Sequence, residues 1–251
     1  MFSFFNRKTT AQLVPALSNL DTVLYPLQWQ QQSFNSAQQI LIHLIENFAV
    51  TEKVPNSASY IAANLISYQK QFSQLLLEQP VYQDWINFTV FGRYIQRSFS
   101  AFYQQTEDVF NADMPEILKH ELMRHTQRLP KGQVLLTGGK LPMSVRSEKL
   151  LTTTLNPFKA IEQALKYSDL SKTKGGVKPI NATPLIFNLI TVGSDSVKAF
   201  AVKHNKHTSD AVRNEVMILD FSQLTLIKED THNNNNAQPE LSSLIRHYTI
   251  G

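Results

Sequence analysis

The chain of 251 residues contains no cysteine. Disulfide frameworks and thiolate metal sites are thereby excluded together. It has no apolar stretch long enough to span a bilayer, and Met1 to Lys8 lack the charged start and apolar run of a secretory signal. The expectation is a cytoplasmic protein without a membrane partner, or one delivered into a host cell by a signal-independent route. Charge of one sign is scarce too. Twenty-four Lys and Arg against 20 Asp and Glu leave a net +4, and the cations are scattered, so the basic cluster of a nucleic-acid binder is missing. His120-Glu121 with His125 looks superficially like a zinc-protease helix. That motif needs histidines four apart on one face, and five apart they diverge by about 140°. No metal is expected.

What is present is an ordinary globular apolar content, 42%, arranged with two different periods. Residues 1–129 read as a helical region. Phe34, Ala37, Leu41, Leu44 and Phe48 fall at three- and four-residue spacing, widened by Ile40 and Ile45. Pro55 breaks the chain. Ile61, Leu65, Tyr68, Phe72 and Leu75 repeat the pattern up to Pro80, and Trp85, Phe88, Ile95, Phe99 and Phe102 form a third run. A fourth helix starts near Asp113 with Pro115 in its first turn. No strand pattern appears before about residue 132.

Leu129-Pro130-Lys131-Gly132 marks the expected boundary, and residues 130–251 form the second region. Gln133-Val134-Leu135-Leu136 is a short apolar strand running into Thr137-Gly138-Gly139, where paired glycines allow a sharp turn and a close ligand approach. In Leu150-Leu151-Thr152-Thr153-Thr154 the threonine triplet is β-branched and suits a strand. Asn156 is a good helix N-cap and Pro157 a good first helical residue. Lys166 to Pro184 is a long polar loop. Leu185 to Val192 is the strongest strand signal, and Ser196 to Val202 reads as a short strand or a helical turn. A polar loop, Lys203 to Val212 with His204 and His207, then leads to Arg213-Asn214-Glu215-Val216-Met217-Ile218-Leu219. Four consecutive apolar residues after Glu215 suit a strand buried on both faces. A carboxylate so close to a core is costly unless something pairs with it. Leu224 to Ile227 alternates as a partner strand, and Leu241 to Tyr248 reads as helical.

This order of parts resembles the mono-ADP-ribosyltransferases of bacterial toxins, effectors and bacteriophages, over about residues 130 to 230. In that family an arginine precedes a glycine turn, a Ser-Thr-Ser strand precedes a helix, and a Glu/Gln-x-Glu motif opens a core strand. The resemblance implies an α+β fold: an N-terminal helical region, then a mixed β-sandwich with flanking helices. It implies NAD as substrate, with cleavage of the bond between nicotinamide and ribose. Glu215 matches the catalytic glutamate, and Thr152 the serine that orders it. Thr137, Gly138, Gly139, Thr152, Thr153, Thr154 and Phe158 fall where NAD is held, and Arg213 and His207 where the acceptor is recognised.

Two positions depart from the family pattern. Thr137 replaces the arginine that contacts the phosphate and ribose side of NAD. Losing a charge-assisted contact weakens binding by roughly 1.5–3 kcal/mol. Arg213 replaces the acid that engages an arginine acceptor, so the acceptor is expected to be another protein side chain, a nucleic acid or water. Two readings compete with an active transferase: the same fold with catalysis lost, acting as a binding module, and a helical structural protein that only resembles a transferase in its second half.

Overall fold

The structure, a computed structural model, describes residues 27–29, 32–48, 57–87, 123, 126–141, 145, 150–167, 184–202, 210, 213–232 and 242–251. The expected helix near Asp113, most of both polar loops and His207 lie outside these residues. Four helices are described: α1 (Ala37–Phe48), α2 (Ser57–Leu77), α3 (Pro80–Asn87) and α4 (Pro157–Tyr167). Ten strands accompany them: β1 (Leu27–Trp29), β2 (Gln32–Phe34), β3 (Gln127–Arg128), β4 (Val134–Gly138), β5 (Leu151–Thr154), β6 (Leu185–Val192), β7 (Lys198–Ala201), β8 (Glu215–Asp220), β9 (Leu224–His232) and β10 (Ser243–Ile250).

The helices form where the apolar stripes fall, with ends set by local chemistry. The Ser36 hydroxyl accepts from Gln39 N at 3.2 Å, and the Gln39 side chain accepts from Asn35 N at 2.7 Å, so α1 starts at Ala37. Phe34, expected on that helix, belongs to β2 instead. Pro80 opens α3, a first-turn position where its missing N–H is harmless. The short strands β1, β2 and β3 precede residue 132, where none was expected. Runs of two or three residues are too brief to show an alternation.

Eight strands hydrogen-bond in the order β3-β7-β8-β5-β4-β6-β10-β9, and only β6 with β10 is parallel. The expected sandwich is therefore hydrogen-bonded as a continuous sheet, with a seam. β5 meets β8 over four residue pairs and β4 meets β6 over five, but β4 and β5 share the single pair Leu136↔Thr154. Helix α4 covers this seam and contacts β4, β5 and β6, while α1 and α2 pack on α4. Buried side chains from residues 34–86 and 129–250 belong to one continuous cluster.

The C-terminal stretch corrects the sequence reading: Ser243–Ile250 is strand β10, not a helix. Leu241, Leu244, Ile245 and Tyr248 carry helical spacing. In β10 the buried positions are Ser243, Ile245, Tyr248 and Ile250, so the alternation changes phase between Ile245 and Tyr248, and that three-residue step looks helical; at the same level the pairing with β9 shifts by one residue. Strand β9 likewise pairs with β10 and not with β8.

Gly138 shows how closely α4 lies on the seam. A Cβ there would stand 2.1 Å from Ala160 O and 2.3 Å from Ala164 N, both helix backbone. Gly138→Ala is expected to destabilise the fold by about 1–3 kcal/mol, because a backbone cannot swing aside as a side chain can. Urea unfolding of the variant checks this.

Candidate active site

Glu215 opens β8 directly after a strained residue. Asn214 has φ of 62°, in the left-handed region that asparagine tolerates better than most residues. That twist lets one residue face several partners. The Asn214 carbonyl accepts from Leu155 N at 3.0 Å and from the Thr154 hydroxyl at 3.2 Å. Its side-chain oxygen accepts from Asn156 Nδ2 at 3.2 Å, and its Nδ2 donates to the Tyr82 hydroxyl at 3.0 Å. Asn156 is the N-cap expected from the sequence: its Oδ1 accepts from Phe158 N at 3.1 Å, and its Nδ2 also reaches Gln69 O at 3.0 Å. One buried polar network thus joins α2, α3, β5, the start of α4 and the mouth of β8.

The network fixes where Glu215 stands. Glu215 is cross-strand partner to Thr154, and its carbonyl accepts from Val202 N at 2.9 Å. Its carboxylate is inside the protein. Lys159 Nζ lies 3.7 Å from Oε1, and the two side chains are 6% and 7% exposed, lysine first. Burial pushes the Lys159 ammonium below its ordinary value, and the negative charge of Glu215 opposes that push. So the partner that a core carboxylate requires is a lysine from the first turn of α4.

The threonine strand divides by face. Thr154 and Thr152 share the Glu215 face, with Thr152 half-buried opposite Met217. Thr153 is buried, and its hydroxyl donates to Val216 O at 2.7 Å. The sequence-derived pairing of Thr152 with Glu215 is thus a neighbour one pleat away, and Thr154 is the residue directly opposite.

The glycine turn lies across the seam. Gln163 Oε1 accepts from the Thr137 hydroxyl at 3.3 Å and from Gly138 N at 3.1 Å. Gly139 has φ of +87°, with the Tyr167 ring against it. Asn188, buried in β6, donates to Gly139 O at 2.8 Å and Thr137 O at 3.3 Å. Phe158 places its ring in the core, 5.6 Å from Tyr68 and 6.0 Å from Phe72 between centroids. Arg213 turns to Asp210, Nη1 to Oδ1 at 2.7 Å, and Asp210 in turn lies 3.7 Å from Lys70. His207 is outside the described residues. Among the described residues, no group of three or more His, Asp or Glu could hold a metal ion.

Lys159, Gln163, Tyr82 and the left-handed Asn214 were missed by sequence reasoning. One signal was available for Lys159. A cation in the first turn of a helix opposes the helix dipole, so its presence just after Asn156-Pro157 calls for a nearby anion.

The polar network makes two expectations. Burial pushes the Tyr82 hydroxyl up from 10.0 to about 12, against the lowering effect of its bonds with Asn214. The fold therefore holds that proton where the unfolded chain releases it. This stabilisation is complete below about pH 10 and disappears as pH rises through about 12. Tyr82→Phe is expected to flatten the alkaline loss of stability relative to the wild type in that window. At neutral pH it costs about 1–3 kcal/mol, because Asn214 Nδ2 is left without an acceptor. Urea unfolding across the alkaline range checks both. In addition, Asn214→Ala should be less stable than Asn214→Gly by about 1–2 kcal/mol, since only glycine keeps the left-handed backbone without strain; thermal unfolding of the two variants separates them.

No protein-family model and no curated protein sequence matches the chain. Among solved structures it is similar to the ADP-ribosyltransferase Vis in complex with M6 inhibitor, at 11% identity and a TM-score of 0.34 over 93% of this chain and 90% of that one. It is also similar to the Vis toxin, an ADP-ribosyltransferase from Vibrio splendidus, at 11% identity and a TM-score of 0.28 over 92% and 90%. For Vis in complex with agmatine the values are 10% and 0.29 over 92% and 90%.

Proposed function

We propose that this chain is an NAD-dependent mono-ADP-ribosyltransferase that cleaves the nicotinamide–ribose bond and passes ADP-ribose to an acceptor other than arginine. One observation supports this above the others: the Glu215 carboxylate is held at one place, opposite Thr154 and one pleat from Thr152. As nicotinamide leaves, positive charge builds on the ribose in an oxocarbenium-like state. A carboxylate fixed beforehand stabilises that charge without rearranging as it forms. Glu215 is the catalytic residue of the reading, and Thr152 and Thr154 line its face of β5. NAD is a substrate here and would meet a neutral turn, since Thr137 is hydrogen-bonded to Gln163. Arg213, already paired with Asp210, is a cation at the position where arginine-modifying members carry an acid. It would repel a guanidinium, which favours a different protein side chain, a nucleic acid or water.

A second reading is a non-catalytic module of similar architecture. The Thr137–Gln163–Gly138 hydrogen bonds and the burial of Glu215 against Lys159 favour it, because both parts of the expected site are already engaged within the protein.

Nicotinamide release from NAD separates the two. The transferase reading expects release by the wild type and a loss of roughly a hundredfold or more in Glu215→Ala. Agmatine, an arginine mimic, should remain unmodified, while a cell lysate should show proteins or nucleic acids heavier by one ADP-ribose, or free ADP-ribose where water is the acceptor. Equal, background-level release from both proteins would leave the binding module as the reading.

A further inference from the structure

We propose that Lys159 is a positioning residue for Glu215: its ammonium keeps that side chain an anion inside the protein and holds it in one place. This deepens the transferase reading and rests on it for the kinetic part of the test only.

The inference starts from what each group would do alone. Lys159 stands in the first turn of α4, where the positive end of the helix disfavours a cation. It is also buried, which disfavours the cation again. Both handicaps are met by a carboxylate 3.7 Å away. Conversely, a buried carboxylate stripped of its cation neutralises by binding a proton, and a neutral carboxyl cannot stabilise a developing oxocarbenium charge. The pair therefore does for Glu215 what water does for an exposed acid.

Lys159 is close enough for this task, with its ammonium 3.7 Å from the carboxylate. Among the described residues, the charged groups that act on it include Glu215 from β8, and Glu162 and Lys166 from its own helix. Glu162 is engaged elsewhere, with Gln69 of α2 at 2.8 Å and Lys166 at 3.4 Å. From α3, Tyr82 brings a hydroxyl to Asn214. From α2, Tyr68 packs on Phe158. From β5, Thr154 bonds the Asn214 carbonyl, and from β4, Thr137 bonds Gln163. The cation comes from a helix anchored by Asn156, one residue before Pro157, so its distance from β8 is set by the same asparagine network that sets Glu215.

Lys159→Met removes the charge and keeps the length of the stem. In it, nicotinamide release at neutral pH should fall roughly tenfold or more through kcat, with the KM for NAD within about twofold. The acid limb of the pH profile should move to higher pH, and Lys159→Arg should recover most of the rate. A second readout needs no activity. In Lys159→Met the folded protein holds a proton that the unfolded chain, with an ordinary glutamate, gives up above about pH 4.3. Its urea midpoint should thus fall more steeply than the wild type's from about pH 5 to about pH 8. Adding Glu215→Gln should restore the wild-type slope. If Lys159→Met does not fold, recovery of folding in that double variant supports the proposal, and failure of both overturns it. A wild type that releases no nicotinamide sinks the transferase reading, and the urea slopes then decide the role of Lys159 alone. An unchanged slope, or an unchanged pH profile in an active protein, overturns it.

Discussion

The contact between Lys159 and Glu215 is the constraint around which the rest of the described structure is arranged. Two full charges are kept almost entirely from water. Desolvating each costs several kcal/mol, and their attraction offsets that only if the geometry is held. Such a pair contributes little net stability when intact, but removing one partner is severely destabilising. The surrounding chain supplies the holding: a capped helix on one side, a strand locked between β5 and β7 on the other, and the Asn156–Asn214 bond between them.

The N-terminal helices take part in that holding. Tyr82 of α3 accepts a hydrogen bond from Asn214, and Gln69 of α2 supplies a carbonyl to Asn156 and an amide to Glu162. Phe158 inserts between Tyr68 and Phe72, so α2 and α4 meet through aromatic packing as well as polar contacts. Polar atoms buried this deeply must be partnered, and a satisfied network specifies one arrangement more sharply than apolar packing alone. The helical region thereby shapes the residue immediately before Glu215.

Much of this was legible in the sequence. Four apolar residues after Glu215 announced a strand with two covered faces, and β8 is buried from Glu215 to Leu219. Asn156-Pro157 announced a helix start, and α4 begins at Pro157. The need for a partner to Glu215 was also readable, from the energetics of a carboxylate near a core. Its identity was not, because 55 residues lie between Lys159 and Glu215, and they meet only through the β5–β8 pairing and the asparagine network beside it. The C-terminal strand was misread for another reason. Its burial changes phase between Ile245 and Tyr248, which looks like helical spacing, and no local residue announces that change. Gly138 was readable as a close approach, but not what approaches: it is a helix backbone.

Lys159 and Gln163 stand one turn apart on α4, on either side of the narrow seam between β4 and β5. One grips the strand bearing the carboxylate, through Glu215. The other grips the strand bearing the glycine turn. The two parts of the sheet share only one residue pair between β4 and β5, so these two contacts, one helix turn apart, bridge the seam where backbone pairing is thinnest.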